Sequence, residues 1–139
     1  MINLKDYICA LCGTLGGFIA SVFGGWTNGI ITLLMFMCID YISGIMVAGV
    51  FKNSKKTETG ALESRTGWKG LCRKGMSLVI VLVAYRLDVH IGTNYIRDAV
   101  IIAFCVNEAI SIIENAGLMG IPLPDVLTKA IDILSKKKK

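Results

Sequence analysis

A run of 24 residues, residues 28–51, constrains this chain more than any other stretch because it is almost entirely apolar. Its one ionisable side chain is Asp40, near the middle of the run. About 20 helical residues cross a hydrocarbon core of roughly 30 Å, so the run is long enough to span a bilayer. A carboxylate at that depth costs about 2.5–3.5 kcal/mol. Asp40 should therefore face another helix or water rather than lipid.

The residues that follow Asp40 at helical spacing are small. Ser43 and Gly44 come three and four positions later, and Ala48 lies one turn beyond them, so all three share a helix face with Asp40. This face is a candidate packing or polar surface. The rest of the segment is Met, Ile, Leu and Phe.

The whole-chain composition also favours a membrane protein. Only 18% of the 139 residues are charged, and the mean hydropathy is +0.64. Soluble domains carry roughly 25% charged residues. The length predicts a single domain. We therefore expect an all-α membrane protein with about four transmembrane or membrane-embedded helices and a short C-terminal amphipathic helix.

Charge and hydropathy divide the chain into hydrophobic segments and two basic regions. The predicted spans are residues 7–25, 28–51, 76–92 and 96–115. A basic loop, 52–75, and a basic tail, 122–139, lie outside these spans. Basic residues near span ends favour the cytoplasmic side, so both regions and both termini are predicted to be cytoplasmic. The third and fourth segments could also be re-entrant, which would leave this topology unchanged.

The first hydrophobic segment has small residues at every fourth position. Gly13, Gly17 and Ser21 belong to this row, which would let a neighbouring helix approach closely. A signal peptide is the alternative interpretation. Only Lys5 precedes the segment and another hydrophobic segment follows at once, so a packing helix is favoured.

The fourth segment has a continuous polar stripe. At 100° per residue its polar side chains fall within an arc of roughly 120°. The stripe consists of Asn107, Glu108, Ser111, Glu114 and Asn115. Such side chains either form hydrogen bonds between helices or line an aqueous pathway, and both roles are compatible.

The basic loop is predicted to fix the topology and to contact anionic lipid. The residues assigned to this role are Lys52, Lys55, Lys56, Arg73 and Lys74. A nucleic-acid patch is the alternative, but the hydrophobic segments beside the loop disfavour it. In the tail, Asp125 can cap a helix whose apolar face is Leu127, Ala130, Ile131 and Leu134, followed by the basic run Lys136–Lys139.

The sequence contains carboxylates that could act as acids or bases, but no recognisable catalytic motif. His90 is the single histidine, and Cys9 and Cys12 form a CxxC pair without a second pair. A redox or metal site is the alternative reading of that pair, but we interpret the cysteines as small apolar membrane residues. We expect no enzymatic activity, no cofactor and no metal.

Three stretches, taken in order, resemble one family: the holins of phage lysis and toxin secretion. They are IDYISGIMVAG (39–49), SRTGWKGLCRKG (64–75) and FCVNEAISIIENAGLMGIPLPDVL (104–127). The second matches a family pattern at Ser64, Gly67, Gly70, Arg73 and Lys74, and the third matches at Asn107, Glu108, Ser111, Glu114, Asn115, Gly120, Pro122 and Pro124. The resemblance covers roughly residues 28–135.

The resemblance implies a pore-forming protein of the bacterial cytoplasmic membrane. Its implied partners are further copies of itself in a large homo-oligomer, membrane lipids, and an endolysin or toxin as passing cargo, without nucleic acid. Asp40 and Glu108 would then pair across helices or face the lumen. Two alternatives remain: a small proton-coupled multidrug-type transporter, and a membrane scaffold or anti-holin without a pore of its own.

Overall fold

The described part of the chain forms five helices. The computed structural model describes residues 1–137. The helices are α1 (Leu4–Val22), α2 (Asn28–Gly49), α3 (Ser64–Ile91), α4 (Ile96–Leu118) and α5 (Asp125–Lys137), and the described part of the chain contains no strand. The all-helical prediction is therefore confirmed.

Helix α2 corresponds to the long apolar run. Its N-terminus is capped by Thr27, whose hydroxyl accepts a hydrogen bond from the Ile30 backbone N–H at 3.4 Å. Among the described residues, α2 is the one helix that is both long enough and apolar enough to cross a membrane. The remaining spans, and the number of spans, stay predictions.

Helix α3 begins at Ser64, so the second half of the predicted loop 52–75 is helical. Three glycines made this stretch look like a loop. Gly67 has a packing role instead: its carbonyl accepts a hydrogen bond from the Tyr41 hydroxyl at 3.3 Å, and an added Cβ would lie 3.4 Å from that hydroxyl. The helix ends where Gly92 adopts a left-handed conformation with φ of 84°, at the end of the predicted span 76–92.

The three central helices run in alternating directions. The starts of α2 and α4 lie together at Gly29 and Ile101, and the chain just after α2 reaches the end of α4, where Asn53 Nδ2 donates to the Leu118 carbonyl at 3.1 Å. Helices α2 and α4 are therefore parallel. Helix α3 is antiparallel to both, because its first half contacts the second half of α2 through Gly67.

An apolar core fills the middle of this three-helix bundle. Its fully or nearly fully buried members are Ile30, Leu33, Met37, Val81 and Ile101. They come from all three helices, so the core holds α2, α3 and α4 together. Helix α4 packs against both of the others.

Helix α1 stands apart from the bundle. None of its residues is buried, and nothing lies within 4 Å of the Cβ positions of Gly13 and Gly17. Ser21 is also exposed. The predicted close packing of this row therefore does not occur within one subunit.

The C-terminal helix α5 follows the turn after α4 and begins at Asp125 itself. Asp125 is thus the first helical residue rather than the cap. Leu127 and Ala130 are exposed. The Leu134 side chain and the last two residues of the basic run Lys136–Lys139 lie outside the described residues.

We expect Leu33→Ala to destabilise the bundle by about 2 kcal/mol or more, because Leu33 is fully buried and its truncation leaves a cavity. Unfolding of the detergent-solubilised protein by a denaturing detergent measures the effect. Leu71→Ala is the matched control, since Leu71 is 47% exposed. Equal stabilities of the two variants would contradict the core described here.

Candidate functional site

Charged and polar side chains from α2, α3 and α4 meet inside the bundle, next to the apolar core. Asp40 and Glu108 are only 5% and 6% exposed, which is unusual for carboxylates. We call this group the Lys74 cluster. It consists of Asp40, Ser43, Lys74, Glu108, Ser111 and Asn115.

Lys74 joins the three helices at the centre of this cluster. Its Nζ lies 2.6 Å from Asp40 Oδ2 and 2.6 Å from Glu108 Oε2. The Lys74 side chain is 15% exposed. One ammonium thus faces two carboxylates, which leaves an excess of one negative charge when both carboxylates are ionised. A buried charge is tolerated when it is paired and hydrogen-bonded in this way.

Asp40 is held by more donors than Glu108. Its Oδ1 accepts hydrogen bonds from Ser111 Oγ at 2.6 Å and from Asn115 Nδ2 at 3.1 Å. Asn115 Nδ2 also lies 2.9 Å from Ser43 Oγ, which itself donates to the Asp40 carbonyl at 3.0 Å. In the described part of the chain, no buried side-chain nitrogen or oxygen lacks a hydrogen-bond partner. The cluster is therefore satisfied within one subunit.

The structure brings together most of the predicted polar face. Asp40, Ser43, Glu108, Ser111 and Asn115 all belong to the cluster. Two other residues of the predicted stripe, Asn107 and Glu114, line the adjacent cavity, and Glu114 is exposed. Of the predicted packing residues on α2, Ala48 is buried, and Gly44 lies beside Asn115, with 3.8 Å between its Cβ position and Asn115 Nδ2.

Lys74 is placed differently from the sequence-based expectation. It was assigned to the lipid-contacting set, but its ammonium lies between Asp40 and Glu108. The reason is that α3 continues back to Ser64, which carries Lys74 into the bundle. A signal exists in the sequence: Lys74, Val81 and Asp88 are spaced by seven residues and share one helix face. The other members of that set, Lys52, Lys55, Lys56 and Arg73, are exposed.

A cavity of about 1080 Å³ adjoins the Lys74 cluster. Its floor includes Asp40, Lys74 and Glu108, and its walls come from α2, α3, α4 and the segment between α2 and α3. The described residues contain no group of histidine, cysteine or carboxylate side chains arranged to hold a metal. The cavity therefore offers charge and hydrogen bonding to whatever enters it.

A second polar cluster closes the end of the bundle on the other side of the apolar core. Asp88, 4% exposed, accepts hydrogen bonds from the Ile96 and Arg97 backbone N–H groups at 3.0 and 2.8 Å and from the Thr93 hydroxyl at 2.5 Å. It thus caps the N-terminus of α4 from the end of α3. The sequence alone does not indicate this role, because the capped backbone groups lie eight and nine residues further along the chain.

Arg97 attaches the α1–α2 turn to this second cluster. Its Nη1 donates to the Phe23 and Gly24 carbonyls at 3.0 and 3.1 Å, and its guanidinium lies 5.6 Å from the centre of the Tyr85 ring. A Cβ at Gly24 would overlap both side chains, and Gly24 has φ of 85°, so this position requires glycine.

Comparisons with known proteins place this arrangement in a family. The model of the bacteriophage holin family matches residues 17–136. A Clostridium perfringens protein, named as an uncharacterized 14.9 kDa protein in the nagH 3′ region, is 36% identical and the match covers 99% of this chain and all of that protein. A Listeria monocytogenes protein is 37% identical over 88% of this chain and 82% of its own length. The probable holin of Bacillus phage phi105 is 31% identical over 73% of this chain and 70% of its length. No solved structure matches the chain.

We expect Lys74→Met to destabilise the bundle by about 3–5 kcal/mol, because it leaves two carboxylates buried without a cation. Unfolding in a denaturing detergent measures the change, with Arg65→Met as the exposed control on the same helix. The neutral triple variant Asp40→Asn, Lys74→Met, Glu108→Gln should recover most of the loss. A Lys74→Met variant as stable as the control would contradict the described ion pairs.

Proposed function

Because the chain belongs to the bacteriophage holin family, we propose that it is a pore-forming holin that self-associates in the membrane and lets an endolysin or a signal-less toxin cross. The family consists of non-enzymatic proteins of the cytoplasmic membrane. This agrees with the expected lack of enzymatic activity and with the expected location in the cytoplasmic membrane. Beyond family membership, the proposal is supported by the Lys74 cluster. Its charged side chains could be hydrated in a pore, but they are paired with one another inside a single copy of the chain.

The Lys74 cluster explains how such a protein can stay in the membrane in a closed form that does not permeabilise it. Its charges are paired between α2, α3 and α4, so a single subunit presents little of this charge to lipid. The alternative location for these groups is the wall of a water-filled lumen, where water replaces the hydrogen bonds between the helices. In this mechanism, the polar groups of the Lys74 cluster give up their contacts with one another during assembly and form hydrogen bonds with water in the lumen. The packed subunit is the closed form.

Helix α1 supplies a surface for assembly. Its small residues Gly13, Gly17 and Ser21 are exposed and unoccupied by the subunit's own helices. In a bilayer no hydrophobic force separates helix from lipid, and small residues favour association by letting backbones approach. A second copy meeting this row, with the polar surface of α2 and α4 turned to the lumen, uses two different faces per subunit. Two different faces permit head-to-tail assembly that closes into a ring.

The topology follows from charge placement. The exposed lysines Lys52, Lys55 and Lys56 precede α3, and the basic run of the tail follows α4. We place both regions and both termini in the cytoplasm. The antiparallel arrangement of α3 against α2 and α4 is compatible with successive crossings of the membrane.

Transport of a small cation receives less support from the site. Such a function needs an aromatic-lined chamber around a membrane-embedded carboxylate. Among the described residues that line the cavity beside Glu108, Tyr41 is the one aromatic residue. The holin assignment is therefore preferred to the transporter.

We expect expression of this chain in a bacterium that holds a cytoplasmic endolysin to end in abrupt lysis with loss of membrane potential. Culture turbidity and a potential-sensitive dye measure the two events. The neutral triple variant is the matched control, since it keeps the packing but lacks the charges that would hydrate a lumen. It should insert equally and lyse later or not at all.

Three outcomes would overturn this function. Membrane-inserted protein that causes neither lysis nor depolarisation would exclude a holin. Lysis without release of large dyes from liposomes that contain the purified protein would point to a scaffold that acts on another pore. Release of small cations alone, by a dimer, would support the transporter.

We expect Gly17→Leu to reduce the size of the oligomers and to delay lysis, because a large side chain blocks close approach to α1. The stability of the three-helix bundle should not change, since nothing in the subunit contacts this position. Chemical crosslinking in membranes measures the oligomers, and Phe18→Leu, at a neighbouring exposed position, is the control. Oligomers unaltered by Gly17→Leu would remove α1 from the assembly.

A further inference from the structure

We propose that the cavity beside the Lys74 cluster binds the phosphate group of an anionic phospholipid through the basic side chains at its rim. These side chains are Lys55, Lys56, Lys69 and Arg73. The proposal uses the membrane location of the family but does not depend on pore formation. It therefore stands or falls separately from the proposed function.

The charges of the cavity are separated into a floor and a rim. At the floor, Lys74 is already engaged by Asp40 and Glu108, so it offers no spare positive charge. At the rim, the four basic side chains outnumber the two lining carboxylates there, Glu63 and Glu114. Within the described part of the chain, none of the four basic side chains forms an ion pair with a carboxylate. The rim is thus a site for an anion and the floor is not.

With α3 crossing the membrane as proposed above, the rim would lie near the membrane interface. Helix α3 has 28 residues. At 1.5 Å per residue it is about 42 Å long, longer than a hydrocarbon core of roughly 30 Å. Its uninterrupted apolar run begins at Leu78, so Arg73 and Lys69 precede that run by about one and a half and two and a half turns. Trp68, 66% exposed beside them, is a residue type that is typical of the membrane interface.

The cavity wall favours a phosphate that is attached to acyl chains over a free phosphate ion. Apolar side chains line the cavity together with the basic ones, including Ile45, Leu62, Leu118 and Leu123. Ile45 and Leu62 are also exposed at the surface, 39% and 54% respectively. A free phosphate ion gains nothing from such a wall, whereas a phospholipid contacts it with its glycerol and the first methylenes. A zwitterionic lipid gains less, because its own cation faces the basic rim.

The experiment measures lipid binding by the purified full chain in a neutral detergent. Phosphatidylglycerol, phosphatidylcholine with the same acyl chains and inorganic phosphate are added in turn, and native mass spectrometry and thermal unfolding are recorded. We expect phosphatidylglycerol to bind and to raise the unfolding temperature, with no comparable effect of the other two. The readout involves neither lysis nor oligomer size.

A charge-matched pair of variants locates the site. Lys69→Gln combined with Arg73→Gln removes two charges from the rim and should weaken phosphatidylglycerol binding about tenfold or more. Lys5→Gln combined with Arg65→Gln removes two exposed charges that lie outside the cavity, and should change binding less than about twofold. All four positions are exposed, so both variants should fold.

Three results would overturn the proposal. Equal losses in the two variants would mean a diffuse surface attraction instead of a site. Equal binding of phosphatidylcholine would mean that the acyl chains, and not the anionic head group, are recognised. Inorganic phosphate that binds as tightly as phosphatidylglycerol would assign the rim to a free anion.

Discussion

The contact between one ammonium and two carboxylates governs the packing of this protein. Lys74 Nζ lies 2.6 Å from both Asp40 and Glu108, and these residues come from three different helices. Each of these charged groups needs the others where water is excluded, because an unpaired charge in hydrocarbon has a large free-energy cost. The ion pairs therefore fix the relative positions of α2, α3 and α4 along their axes.

The apolar core is positioned by two polar ends. On one side lies the Lys74 cluster, and on the other Asp88 caps α4 and Arg97 holds the α1–α2 turn. Apolar side chains can slide past one another at small cost, since lipid and neighbouring helices are equally apolar. Hydrogen bonds and ion pairs cannot slide without breaking. The two polar clusters therefore fix how the helices are aligned along their axes, and Leu33, Val81 and Ile101 fill the space between the clusters.

Much of the fold could be predicted from periodicity, but the pairing of its charges could not. The apolar run after Asn28 and the polar stripe from Asn107 to Asn115 each follow from the spacing of residues on one helix. The stretch that holds Lys74 is rich in Gly, Ser, Thr and Lys, which favours a polar loop, whereas the structure forms a helix there and seats the Tyr41 hydroxyl against Gly67. Asp88 was missed for a related reason: it caps a helix that begins eight residues later, across a turn. Both contacts join elements that are separate in the sequence, so no local pattern specifies them.

The location of the polar surfaces inside one subunit changes what assembly must accomplish. Had Asp40 and Glu108 met only between subunits, a lone subunit would expose charge to lipid, and association would be obligatory from the start. Since they already meet within one copy, the proposed association could be delayed, and its driving force would come from another surface. Helix α1 packs little against the described bundle, and its exposed glycines are suited to helix contacts in lipid. In the holin mechanism proposed above, α1 would provide attachment between copies, while the bundle would keep the buried polar groups satisfied until copies have gathered.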